Sequence, residues 1–444
     1  MDINWDQVQD NVVRTLQDLI RFDTTNPPGN ETPCVAYIRE RLAAEGVPAT
    51  LLESAPGRGN LVARLQGDGS QRPLLLLSHV DVVPAEADQW KHPPFSGHIV
   101  DGYLWGRGAV DMKGLTAIEL ELFLLLKRLN LPLKRDIILA ATADEEAGGA
   151  YGAAWLVQNH FDLIDAEYCI NEGGGIGIQL GSKWAFLCQT AEKGICWTRL
   201  TARGEPGHAS TPRGETAVGK LAGAVDRLAH ARLPQHRVAT VEALIHSLSQ
   251  TLPPPLNQAI LGLLNPETEP QILGMIPDKT IAALLNASLH NTATPTILRA
   301  GSKINVIPSV AEAEVDCRIL PGQSAADAVG EMRAVVGDQV ELEVVFTSPG
   351  VESGYDTPLF DLMGQVAQEF EPDSITVPFM VTGATDGRFL AAKGIKVYGF
   401  WPMKELPEGP KVFELAHAHN ERISLDNLRF GAQVLWEIVY RFCS

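Results

Sequence analysis

Apolar positions recur at helical spacing over residues 8–22 and again over 32–45, with Pro27-Pro28-Gly29 breaking the chain between them. A different pattern follows. Residues 73–83 are apolar with no polar alternation until the run nears its end, as in a strand buried on both faces of a mostly parallel sheet. Residues 136–143 and 168–171 repeat that style. Between the first two runs, Leu115, Ile118, Leu122, Leu125, Leu126 and Leu129 mark one face of a helix. The alternation of strands and helices predicts an α/β core.

Near residue 192 the character changes. Residues 198–203 and 311–320 alternate, residues 216–233 and 325–336 read as helices, and 340–347 reads as a further strand. This predicts a half-exposed antiparallel sheet with helices, an α+β unit of its own. From about residue 356 the buried-strand style returns, in 396–401, before a C-terminal helix over 425–442. The expected organisation is one domain made of 1–191 and 355–444, interrupted by an inserted α+β domain, 192–354. There is no internal repeat and no low-complexity tail.

At 444 residues the chain exceeds what one hydrophobic core usually organises, in keeping with two domains. Lys plus Arg number 36 and Asp plus Glu 54, a formal charge of −18. That balance excludes nucleic acid and anionic membranes as expected partners, while an anionic substrate needs only a local basic pocket. Residues 1–6 lack the basic and apolar regions of a secretion signal. The most apolar stretch, 115–129, carries Glu119, Glu121 and Lys127 and is too short to span a bilayer. Cys34, Cys169, Cys188, Cys196, Cys317 and Cys443 form no C-x-x-C pair and read as reduced, buried thiols. A cytoplasmic protein is expected.

The chemistry sits where the apolar runs end. Leu74 to Ser78 leads into His79-Val80-Asp81, residues 137–143 into Asp144-Glu145-Glu146, and 168–171 into Glu172. The loop 106–111 ends in Asp111, at the start of a helix. In open α/β sheets the carboxyl ends of the strands form the ligand crevice, so these groups should converge there. Several acids in one crevice repel unless a dication neutralises them. Imidazole and carboxylate ligands together suit Zn²⁺, with Mn²⁺ or Co²⁺ as alternatives. Taken singly, each signal is ordinary. An H-x-D is commonly a strand-end hydrogen bond, a Glu-Glu pair a solvated surface, and an Asp opening a helix a cap. Their joint placement points to a site. Other motifs fail: Leu180 stands where a dinucleotide fingerprint needs its third glycine, and neither G-x-x-x-x-G-K-[ST] nor H-E-x-x-H occurs.

In chain order, HVD (79–81), GRGAVDMKG (106–114), DEE (144–146), NEG (171–173), GEPGHAS (204–210), NVIP (305–308), DCR (316–318), GATDGR (383–388) and HAHNE (417–421) resemble the M20 metallopeptidase family. The resemblance implies a zinc-exopeptidase-like catalytic domain with a central mostly parallel sheet, and an inserted α+β lid and dimerisation domain. It implies two divalent metal ions: His79, Asp111 and Glu172 on one, and Asp111, Glu146 and His417 on the other. The spacing H-x-x-N-E favours His417 over His419. Asp81 would orient His79, and Glu145 would be the general base that takes a proton from water and returns it to the leaving nitrogen. His208 would donate to the oxyanion. Asn305, Arg318, Thr385 and Arg388 would bind substrate, the Arg318 fork suiting a free carboxylate. The peptide Asp111–Met112 would be cis.

Within the family, Glu at position 172 resembles carboxypeptidases and acylases, whereas Asp is more typical of aminopeptidases and dipeptidases. The expected activity is therefore hydrolysis of an amide bond beside a free carboxylate, in an N-acyl amino acid or a short peptide. The alternatives are a dipeptidase or aminopeptidase, and a non-catalytic binding protein on the same scaffold. Glu145 stands against the last, since a receptor needs no general base. The amphipathic helix over 216–233 suggests a homodimer. Residues 237–294, with helical stretches of their own, resemble the longer lid of the larger family members.

Overall fold

The computed structural model describes residues 3–181, 183–211, 214–405 and 411–444. The chain forms two compact units: Met1–Thr190 with Ser353–Pro378 and Thr385–Ser444, and Ala191–Glu352 with Phe379–Ala384.

The first unit is built on a twisted sheet. Its strands run in the order Ala49–Glu53, Gly59–Leu65, Arg135–Thr142, Gln71–His79, Tyr168–Asn171, Lys396–Gly399, Lys183–Glu192, Ile176–Leu180 and Met403–Lys404. The four strands from Arg135–Thr142 to Lys396–Gly399 are mutually parallel. On both sides of them the pairing turns antiparallel, so the whole sheet is mixed. The parallel centre explains the unbroken apolar runs. Leu74 and Leu76 face one core and Leu75 and Leu77 the other, because successive side chains of a strand point to opposite faces.

The larger of these cores lies under the helices Trp5–Arg21, Thr32–Ala44, Lys113–Leu129 and Leu425–Cys443. Local chemistry fixes their ends. Asn4 caps the first through Gln7 N, Asn130 closes the third in a left-handed conformation at φ 46°, and Ser424 caps the last through Asn427 N. Lys113–Leu129 is buried almost all round and encloses Glu119, whose carboxyl burial pushes up to about 8, with Ser78 pulling the other way.

The second unit holds a four-stranded antiparallel sheet, ordered Thr292–Ala300, Val310–Ile319, Gly194–Arg203 and Glu341–Ser348. Helices Ala217–His230 and Ala325–Val336 pack with the apolar residues of its alternating strands. Helices Ala239–Thr251, Leu256–Leu261, Glu269–Met275 and Lys279–Leu289 add a smaller cluster around Ile245, Leu263 and Leu289. Among the described residues no helix is long and apolar enough to cross a membrane.

Candidate metal centre

The strand Gln71–His79 ends with His79 buried at the carboxyl end of the parallel strands. Its Nε2 lies 3.2 Å from Oδ1 of Asp111 and 3.5 Å from Oε1 of Glu172. The second oxygen of Asp111, Oδ2, lies 3.1 Å from Nε2 of His417, and that nitrogen is 3.0 Å from Oε2 of Glu146. Each imidazole is bracketed by two carboxylates, and Asp111 serves both. Ligand atoms of His79, Asp111 and Glu146 lie within 4.8 Å of one another, as do those of His79, Glu145 and Glu172. His419 points elsewhere, 3.6 Å from Glu86.

The backbone around these groups is held by buried polar contacts. Glu421 gathers the loop before Asp111: its Oε1 accepts from Val110 N at 2.7 Å and Asp111 N at 3.0 Å, and its Oε2 from Gly108 N at 3.1 Å. Arg107 pairs with Glu421 at 2.7 Å and donates to the carbonyl of His417 at 3.2 Å, joining the loops of Asp111 and His417. The Asp111–Met112 peptide is cis, as the resemblance implies. Glu172 follows the strand Tyr168–Asn171. Beside it Gly399 must lack a side chain, because a Cβ there would sit 1.9 Å from the Glu172 carbonyl oxygen.

Asp81 sits under the Glu145–Glu146 turn, accepting from Glu145 N and Glu146 N at 3.1 Å each and from Asn26 Nδ2 at 2.8 Å. The Nδ1 of His79 is closer to the carbonyl oxygen of Asp81, at 3.0 Å, than to its carboxylate, at 3.4 Å. The carboxylate therefore orders the turn as much as the imidazole. Burial alone would raise the Asp81 carboxyl, but hydrogen bonds with His79 and then Asn26 hold it below the ordinary range. Asp144 stands in the left-handed region at φ 70°, held there by Arg58 at 2.6 Å and Tyr151 N at 2.9 Å. It anchors the turn from behind.

The donors suit a divalent cation. Burial opposes charge on His79, yet Glu172 and then Asp111 outweigh it and raise its proton affinity well above the ordinary value. Hydrogen bonds to Asp111 and Glu146 lift His417 to about 10. Burial brings Glu172 up to about 7, and burial followed by the charge of Glu172 pushes half-buried Glu145 well up. A field that retains protons this strongly would also retain a metal ion. Among the described residues the buried Oε1 of Glu146 has no hydrogen-bond partner, as an oxygen reserved for a ligand would.

Thr385 and Arg388 also belong to the first unit. Thr385 Oγ1 accepts from Asn171 Nδ2 at 3.1 Å, and Arg388 donates to the carbonyls of Thr385 at 3.1 Å and Gly148 at 2.9 Å. That places Arg388 against the turn carrying Glu145. His208, Asn305 and Arg318 belong to the second unit. Gly207–His208 pairs with Val306–Ile307, which brings exposed His208 beside exposed Asn305. The Nδ1 of His208 accepts from the backbone N–H of Ser210 at 3.2 Å, so the neutral ring carries its proton on Nε2. Arg318 is forked onto Asp316 through Nε at 2.7 Å and Nη2 at 3.1 Å.

A centre of this kind does one sort of work well, the activation of water, and so defines a metal-dependent hydrolase. Residues 75–441 match Peptidase family M20/M25/M40, and the chain belongs to that family. Human N-fatty-acyl-amino acid synthase/hydrolase PM20D1 is 33% identical over 388 residues, covering 84% of this chain and 75% of that protein. Aminoacylase-1 of Pongo abelii is 28% identical over 426 residues, covering 93% and 90%. Among solved structures, the M20 family metallo-carboxypeptidase Sso-CP2 from Sulfolobus solfataricus superposes with a TM-score of 0.71 at 20% identity, covering 97% and 98%.

Proposed function

We propose that the protein hydrolyses an amide bond adjacent to a free carboxylate, with N-acyl amino acids as its substrate class. The observation carrying this reading is the sharing of Asp111, one oxygen to each of two imidazoles that each have a carboxylate of their own. Two divalent ions, zinc with cobalt or manganese as substitutes, would be held by His79, Asp111 and Glu172 and by Asp111, Glu146 and His417. When bound they supply Lewis acidity, making a water acidic near neutral pH and polarising the amide carbonyl. Glu145 takes the proton of that water and delivers it to the leaving nitrogen. Asp81 keeps the base in place through the N–H groups of residues 145 and 146. His208 donates from Nε2 to the oxyanion.

Arg318 receives the substrate carboxylate through Nη1, with Asp316 orienting its fork, and Asn305, Thr385 and Arg388 complete the substrate contacts. The names of PM20D1 and Aminoacylase-1 favour acylated amino acids over dipeptides as substrates. In this reading residues 1–191 and 355–444 are the catalytic domain, and 192–354 the lid through which two copies form a homodimer. The six buried, unpaired cysteines favour a reducing, cytoplasmic setting.

The test is chelation, reconstitution with Zn²⁺, Co²⁺ or Mn²⁺, and assay on N-acyl amino acids, their carboxamides and dipeptides. Activity should vanish and return with metal, and free acids should be cut at least about tenfold better than carboxamides. Full activity in metal-free protein would refute the metal reading, and equal cleavage of acid and carboxamide the carboxylate reading.

A further inference from the structure

In the second unit the strands Gly194–Arg203 and Val310–Ile319 run antiparallel, with Ile195 opposite Arg318 and Thr198 opposite Val315. That register sets Cys196 against Cys317. Residues directly opposed in such a pair share one face of the sheet, with Cα atoms about 4.5–5.5 Å apart. A disulfide spans about 4.4–6.8 Å between Cα atoms, so the backbone already has the spacing that the bond needs. Both thiols are buried in the core with helices Ala217–His230 and Ala325–Val336.

The two sulfurs act on each other directly. A hydrogen bond from Cys317 favours the Cys196 thiolate and brings it below the ordinary thiol range, against burial, while the same contact and then burial raise Cys317. No second thiol acts on Cys34, Cys169, Cys188 or Cys443 among the described residues, and burial raises all four. A cation serves the second sulfur of the pair. Buried Lys193 donates from Nζ to the carbonyls of Ala287 at 3.0 Å and His290 at 2.8 Å and to Thr292 Oγ1 at 3.3 Å, three acceptors for the three protons of an ammonium. Burial brings it down to about 7, and its charge favours the thiolate of Cys317.

An oxidant has a way in. Strand Glu341–Ser348, which meets Cys196 at Thr347, is the outer strand of this sheet and is exposed along 343–347. Its register with Gly194–Arg203 shifts between Trp197 and Thr198, beside Cys196. An edge strand interrupted there opens more readily than the strands inside the sheet.

We propose that Cys196 and Cys317 are a reversible oxidation site, a dithiol that hydroperoxides convert to a cross-strand disulfide. The Cys196 thiolate attacks the peroxide and becomes a sulfenic acid, and the hydroxide released takes up the thiol proton as water. Cys317, no longer opposed by a neighbouring thiolate, then attacks the sulfenic sulfur, and the hydroxyl leaves with the Cys317 proton as a second water. Two S–H bonds are exchanged for one S–S bond, and the peroxide accepts the two electrons. A dithiol reductant returns them by thiol–disulfide exchange. The bond ties the strand carrying Asp316 and Arg318 to its neighbour, whichever amide the protein hydrolyses.

Peptide mapping of the full chain after hydrogen peroxide, before and after dithiothreitol, tests this. The wild type should lose two hydrogens in mass, with Cys196 and Cys317 in one cross-linked product that dithiothreitol separates. Cys317→Ser should stop at the sulfenic acid, raising dimedone capture at Cys196 at least about tenfold over wild type, and Cys196→Ser should give neither product. A bond from either thiol to another cysteine or another chain, both thiols left free, or equal dimedone capture in wild type and Cys317→Ser would each overturn the proposal. If either variant fails to fold, the wild-type map still decides.

Discussion

The two units hold their candidate site residues in opposite ways. In the first, His79, Asp81 and Glu421 are buried, and the loops carrying Asp111, Glu145 and Glu146 are tied down through backbone N–H groups. In the second, His208 and Asn305 stand exposed on a pairing of two residues with two. Groups that must present several like charges at fixed spacing need a rigid, dry frame, since each misplaced carboxylate repels the rest. Groups that meet a substrate must remain reachable. The difference teaches where substitutions should destroy the reaction and where they should only weaken it.

Glu145→Gln should have the largest effect, about 10²–10⁴-fold in kcat, with bound metal unchanged by elemental analysis. Metal lost along with activity would show that Glu145 is a ligand rather than the base. His208→Ala should cost about 10²–10³-fold from the exposed side of the comparison. In a homodimer where each copy completes its neighbour, mixing that variant with Glu145→Gln should restore activity. Subunits that exchange by mass yet recover nothing would place His208 in its own chain's reaction, or outside it.

Glu421→Gln touches no ligand atom, yet should lower metal affinity by about ten- to a hundredfold, because the Asp111 loop loses its charged clamp. Unchanged affinity by competition with a chelator would show that the cis-linked loop holds its shape unaided. The smallest effect concerns Glu119. Its folded value of about 8 lies above its ordinary 4.5, so its contribution to stability is complete below 4.5 and lost as pH rises through about 8. The melting temperature of Glu119→Gln minus that of wild type should therefore increase from pH 5 to pH 9. A constant difference would mean that Glu119 titrates normally.

What could be read from the chain follows the same division. The parallel centre was legible because strands buried on both faces give unbroken apolar runs, and the acids at their ends stand out against them. The strands Ala49–Glu53 and Ile176–Leu180, which help to make the sheet mixed, were not, since short, partly exposed strands carry little periodicity. Helix Glu269–Met275 was missed at seven residues. Glu421 was visible only as part of a motif: its task, gathering a loop 313 positions earlier, is a matter of folded contact. Arg58 and Asn26 gave no local signal at all. Arg318 pairs with Asp316 two residues before it, a salt bridge along the strand face that only the folded structure reveals.

Asn26 and Arg58 have a practical bearing on anyone who dissects this protein. The family match begins at residue 75, and both residues precede it. Yet Asn26 donates to Asp81 and Asp144, and Arg58 joins Asp144 to Glu31. An expression fragment trimmed to the matched region would keep every candidate metal ligand while discarding the cations and amides that steady them. Asp144 and Asp81 would then be buried acids short of those partners. Such a fragment would be a poor stand-in for the whole chain, and its inactivity would say nothing about the ligands it still carries.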